Sequence, residues 1–129
     1  LDKNTFDLIK KELKEAFATN KISPFVLTLD TIDYFKQKNC ITVHAKPSSC
    51  PELDKIYTII CTTLNVTSNH GKYCPHMTLG QFNHTDMNKV DEIRAGWSSL
   101  SWTVDSIQLV ARDSASTARF NIIENIMLS

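Results

Sequence analysis

The apolar residues of 49–64 recur at three- and four-residue steps: Leu53, Ile56, Tyr57, Ile60 and Leu64. On either side of this stretch the period drops to two. Nothing constrains the chain more than that switch. A period near 3.6 places one apolar stripe on a helix, and a period of two places one apolar face on a strand. Ser49-Cys50-Pro51-Glu52 reads as a capping box with Pro in the first turn, so the sequence also marks where the helix starts. A single amphipathic helix between strands must bury its stripe on the sheet those strands make.

The rest of the chain repeats the alternation. Residues 5–18 read as a helix, with Phe6, Ile9, Leu13 and Phe17 on one face. Residues 24–32, PFVLTLDTI, read as a strand carrying Phe25, Leu27 and Leu29 on one side. Residues 40–46, CITVHAK, form a second, with Ile41, Val43 and Ala45 opposed to Thr42, His44 and Lys46. The intervening KQKN suits a hairpin connection. After a polar loop, residues 73–82 give a strand, 86–95 a short helix with Met87, Val90 and Ile93 inward, and 101–112 a strand. The last of these loses phase between Val104 and Ile107, which a bulge at Asp105-Ser106 reconciles. Residues 119–128 are a final strand after the turn DSASTA. The expected order is α-β-β-α-β-α-β-β, an α+β fold of mostly antiparallel sheets with helices packed on the outside. One domain, 1–129, accommodates it.

Composition narrows the function classes. Acidic and basic residues balance, 14 against 14, so the whole-molecule field offers no argument for nucleic acid. An anionic ligand needs a local site. No apolar run reaches the ~18 residues of a membrane span, and no secretory signal opens the chain. The four cysteines (Cys40, Cys50, Cys61 and Cys74) have no metal-site spacing. Cys50 and Cys61 share one helix but lie ~16 Å apart along it, too far to bridge. Reduced thiols and an intracellular location, cytoplasmic or nuclear, are the expectation, with no metal and no cofactor.

Chemistry concentrates in one short run, Tyr73-Cys74-Pro75-His76-Met77-Thr78-Leu79-Gly80. On a strand, His76 and Thr78 project from one face ~7 Å apart. That pair suits a phosphate: the hydroxyl donates to a non-bridging oxygen, and an imidazole titrating near neutrality exchanges a proton with the attacking or leaving oxygen. Gly80, taken to lie on the same face, lets a ligand approach the backbone. Tyr73 stands at the rim, placed to stack on a base or simply to close the core edge. A solvent-facing His and a β-favouring Thr would produce the same letters, so the motif alone is weak. Trp97 and Trp102 read as core or core-edge residues, and His70, His84, Arg112 and Arg119 as solvated side chains.

The surrounding pattern strengthens it. Pro75-His76-Met77-Thr78-Leu79 strongly resembles the second signature of the 2H phosphoesterase superfamily, which includes the LigT-like 2′-5′ RNA ligases and cyclic nucleotide phosphodiesterases. The preceding SPFVLTLDTIDYF, CITVHAKP and helix 49–64, and the following WTVDSIQLVARD, stand in the order such domains show. The resemblance implies a bilobal LigT-like architecture. It also implies phosphodiester or 2′,3′-cyclic phosphate chemistry on RNA ends or nucleotides without a metal, with His76 and Thr78 catalytic. The family carries two His-x-Thr/Ser motifs, and this chain has one. Either His44-Ala45-Lys46 is a degenerate first motif, with Lys46 in place of the hydroxyl, or the first motif lies before Leu1 and the chain is N-terminally truncated. Element order favours the second. His44 and Lys46 remain candidate substrate contacts through their outward parity. An inactive RNA- or nucleotide-binding module of the same fold, within a larger multidomain protein, is the alternative.

Overall fold

The structure, a computed structural model, describes residues 3–66, 73–111 and 121–128. In chain order they form α1 (Lys3–Asn20), β1 (Phe25–Leu29), β2 (Thr31–Lys36), β3 (Cys40–Lys46), α2 (Pro51–Leu64), β4 (Met77–Asn83), α3 (Asn88–Gly96), β5 (Leu100–Val104), β6 (Ser106–Ala111) and β7 (Asn121–Met127). The fold is α+β and every strand pair is antiparallel. Three sheets result: β1-β5, β2-β3-β4 and β6-β7.

Two expectations are corrected at the same kind of position, a polar residue between apolar runs. The strand expected over 24–32 is two strands, β1 and β2, broken at Asp30. Its carboxylate accepts from the Ser48 amide and hydroxyl, both at 2.8 Å, which holds the bend and keeps the acid below its ordinary range. The phase loss over 101–112 is likewise a change of sheet rather than a bulge. β5 pairs with β1, β6 pairs with β7, and Asp105 stands between them. The hairpin through KQKN joins β2 to β3 as its composition suggested, with Gln37 N donating to Cys40 O at 2.9 Å.

α2 begins at Pro51 with Cys50 as its N-cap. No side chain caps it, so Ser49 does not close the expected box. Its end is a left-handed Asn65, whose short polar side chain tolerates positive φ. Met87 caps α3 and is exposed, leaving Val90 and Ile93 to face inward. The expected turn 113–118, His70, Arg112 and Arg119 fall outside the described residues.

Two apolar clusters hold the elements. One joins Leu13 and Phe17 of α1, Ile56 and Ile59 of α2, Phe25 of β1 and Ile126 of β7. The other joins Leu29, Ile32, Ile41, Val43, Ala45 and Val90, pressing α3 on one face of the β2-β3-β4 sheet. Each large aliphatic side chain so buried contributes about 1.5–3 kcal/mol. Trp97 follows α3 and pins it to the end of β1, its Nε1 donating to Leu29 O at 3.0 Å. With α3 covering one face, the opposite face of β2-β3-β4 is left to polar residues. Among the described residues no helix is long and apolar enough to cross a membrane.

Candidate active site

The polar face is built row by row from strand register. Asp33 of β2 pairs with His44 of β3, and His44 pairs with Thr78 of β4, so three functional side chains cross the sheet in one line. Lys46 stands two residues along β3 from His44 and therefore on the same face. His76, immediately before β4, turns onto it too: its ring centroid lies 5.2 Å from that of His44 and 5.0 Å from that of Phe35.

A bulge makes this possible. Val43 pairs with Gly80, yet His44 pairs with Thr78, so Leu79 is an extra residue on β4. In a regular ladder of the same sequence His44 would face Leu79, and Thr78 would fall opposite Ala45 on the apolar face. One inserted residue reverses the parity of everything N-terminal to it. Gly80 consequently sits opposite Val43 on the α3 side, away from Thr78. A Cβ there would come within 3.3 Å of the Phe82 ring, so the glycine makes room for Phe82. Its expected place on the His76 face assumed an unbroken alternation.

His76 is exposed and its Nδ1 lies 2.8 Å from Cys74 O. A carbonyl only accepts, so Nδ1 carries the proton of that bond. In the neutral ring Nε2 then keeps its lone pair and is the atom able to take a proton; in the cation it gives one back. Thr78 is exposed beside it.

His44 is the opposite case. It is 1% exposed, stacks on Phe35 at 4.3 Å, and among the described residues neither ring nitrogen meets a partner within hydrogen-bond geometry. Leaving a buried polar group unsatisfied costs about 1–3 kcal/mol. Burial, first, and then the neighbouring His76 push its pKa below the ordinary 6.5; Asp33 pulls the other way and Lys46 adds to the lowering. The ring is therefore held neutral behind His76.

Lys46 donates to Asp33 Oδ2 at 2.8 Å. That bond raises the lysine and lowers the carboxyl from their ordinary ranges. Lys46 is thus an anchored cation on the face, and it also lines a cavity of about 340 Å³ with Ser48, Ser49, Asp54 and Tyr73. Tyr73 lies flat on Tyr57 of α2, with centroids 4.2 Å apart and planes 2° from parallel. It borders a second cavity, about 410 Å³, whose walls include His76, Met77, Leu27, Leu53 and Trp102. Trp102, expected in the core or at its edge, is 42% exposed there. The described residues hold no group of three or more His, Cys, Asp or Glu able to bind a metal ion.

The face thus joins His76, Thr78, His44 and Lys46. Tyr73 stands beside it, and Gly80 lies across the sheet. Asp33 and Phe35 were missed by the sequence reading. Their signal was present: extending the strand through DYF and pairing it across KQKN places Asp33 opposite His44.

No curated protein sequence matches the chain. The sequence profile described as the 2′-5′ RNA ligase superfamily matches residues 1–116 of the 129, a span holding all these residues except the final strand of the fold. A match over nine-tenths of the chain agrees with the α+β architecture and the strand-borne His76-x-Thr78 pair, and on it the chain belongs to the 2′-5′ RNA ligase superfamily, LigT-like 2H phosphoesterases.

Proposed function

We propose that the domain carries out phosphodiester or 2′,3′-cyclic phosphate chemistry on RNA ends or nucleotides, with His76 as the proton-transferring group and Thr78 as the phosphate contact. The observation that supports this best is the Leu79 bulge, which turns Thr78, and with it His76, onto the face that carries His44 and Lys46. A phosphate seated there receives the Thr78 hydroxyl on a non-bridging oxygen. Nε2 of His76, left with its lone pair by the Cys74 carbonyl, takes the proton of the attacking hydroxyl or water. The protonated ring can return it to a leaving oxygen. Lys46 adds positive field at the edge of the site while its own bond to Asp33 keeps it in place. His44 supports the rear of the His76 ring through the Phe35 stack. The proton is handled by side chains, so a chelator leaves turnover intact.

The test is hydrolysis of nucleoside 2′,3′-cyclic phosphates and of RNA bearing that end, with His76→Ala compared with the parent. General acid–base groups contribute typically 10²–10⁴-fold, and a loss of that size is expected. Unchanged turnover in His76→Ala would remove the residue from the mechanism. One observation favours a second reading, an inactive nucleotide-binding module: of the two imidazoles on the face, only that of His76 is exposed, so the face offers a ligand one proton carrier. That reading predicts nucleotide binding by the parent chain with no product formed.

A further inference from the structure

We propose that the cavity beside His76 is a nucleobase subsite that holds its base by stacking and not by its hydrogen-bonding edge, so that phosphates of all four ribonucleosides are accepted. The proposal rests on His76 and Thr78 holding the phosphate. At about 410 Å³ the cavity falls within the roughly 300–1,000 Å³ of small-ligand sites. His76 is part of its wall, so a group entering it lies next to a phosphate held by that side chain.

The chemistry of the walls names the ligand class. Leu27 and Leu53 supply apolar surface, and Trp102, opposite Leu27 across the β1-β5 ladder, supplies an indole. A gap left by imperfect packing would be lined by buried side chains. Here Trp102 is 42% and Met77 37% exposed, large apolar surface left open next to a polar face. Tyr73 also lines the cavity, and its stack on Tyr57 fixes the plane of its ring. A flat, uncharged heterocycle joined to a phosphate matches both halves of this arrangement. A purely aliphatic group would gain nothing from the aromatic walls.

The same walls set the selectivity. The leucines, prolines and Met77 carry no side-chain donor or acceptor for a base edge. Discrimination among bases by hydrogen bonding needs several convergent polar groups, and few are present. Every base has a π-face, so stacking tolerates all four.

The experiment measures equilibrium binding to the full chain by isothermal titration. The ligands are inorganic phosphate, methyl riboside 3-phosphate, which has no base, and the 3′-monophosphates of adenosine, guanosine, cytidine and uridine. Stacking is worth about 1–3 kcal/mol per base, so each nucleotide should bind about 5- to 150-fold more tightly than the riboside phosphate. The four should differ among themselves by less than about tenfold, purines leading. In Trp102→Leu, which keeps apolar bulk but removes the π-face, the ratio of nucleotide to riboside phosphate should fall toward one. Equal binding of nucleotides and riboside phosphate overturns the subsite and leaves the phosphate site standing. So does an unchanged ratio in a folded Trp102→Leu. Should that variant fail to fold, the parent series alone decides. A preference of 100-fold or more for one base overturns the stacking-only reading. Failure of every phosphate compound to bind overturns both this proposal and the function on which it rests.

Discussion

At Val43 and His44, adjacent residues on opposite faces, β3 carries the same burial and opposite chemistry. Ile41, Val43 and Ala45 point toward α3 and are fully buried among aliphatic neighbours, while His44 points the other way and is as fully buried. On the α3 face, burial is itself the source of stability. On the site face, burial works against the group it covers, because His44 has two ring nitrogens and no partner for either among the described residues. The stack on Phe35 returns about 0.5–1.5 kcal/mol of that loss. Accessible surface therefore does not separate Val43 from His44; hydrogen-bond satisfaction does.

The comparison breaks most completely if the parity of β4 is changed at its start. Deleting Met77 leaves Thr78 opposite His44 but moves His76 to the position opposite Ala45, off the site face. Phosphate chemistry should then fall by at least the 10²–10⁴-fold of a lost acid–base group, and the melting temperature should fall with it, because an imidazole is turned toward the apolar face. A deletion variant that kept parental turnover would show that the parity of β4 does not matter. Ile41→Ala tests the α3 face alone. It should cost about 2–5 kcal/mol in denaturant unfolding, with phosphate binding by the folded fraction retained.

His44→Phe sharpens the contrast, since it replaces a buried polar ring with an apolar one of similar shape. The variant should be neutral or more stable by up to about 1–3 kcal/mol at neutral pH. Its pH dependence carries a sign. Unfolded His44 takes up a proton near 6.5, whereas the folded ring does so only at lower pH. Between those two values the unfolded chain binds more protons, so parental stability falls as pH falls below 6.5. The groups facing His44 (Asp33 from β2, Lys46 on its own strand and His76 before β4) are unchanged in the variant. A urea series from pH 7 to 5 should show a flatter slope in His44→Phe, and identical slopes would contradict the assignment. Lys46→Met makes the smallest change. It removes a partly exposed ion pair worth about 0.2–1 kcal/mol, a difference that should vanish in high salt. Asp33 should then titrate closer to its ordinary 3.8.

Much of this was legible in the residues. The apolar stripes of α1 and α2 span several turns, and a pattern that long survives errors at its ends. β3 was read residue for residue because its alternation is unbroken. The losses have one physical origin: where pairing changes partner, the local sequence carries no mark. Asp30 and Asp105 look like ordinary polar positions within strands, and only the neighbouring ladders reveal that each is where one sheet ends. The Leu79 bulge is equally silent, since Met-Thr-Leu-Gly alternates well by itself; its evidence lies across the sheet, where Gly80 pairs with Val43 but Thr78 pairs with His44. Gly80 was placed on the wrong side of the strand for that reason alone. The burial of His44 was hidden too, because Phe35, which covers it, lies in a strand that had been cut short.

The hold on His76 has a consequence for how this site responds to mutagenesis. The group that selects its tautomer is the main-chain oxygen of Cys74, and every amino acid supplies that oxygen. A saturation scan would therefore score position 74 as permissive while its backbone selects the tautomer of the neighbouring imidazole. An amide-to-ester exchange at the Cys74–Pro75 bond, with an α-hydroxy acid in place of Pro75, would weaken the carbonyl as an acceptor and expose a dependence that no replacement of the Cys74 side chain can reveal.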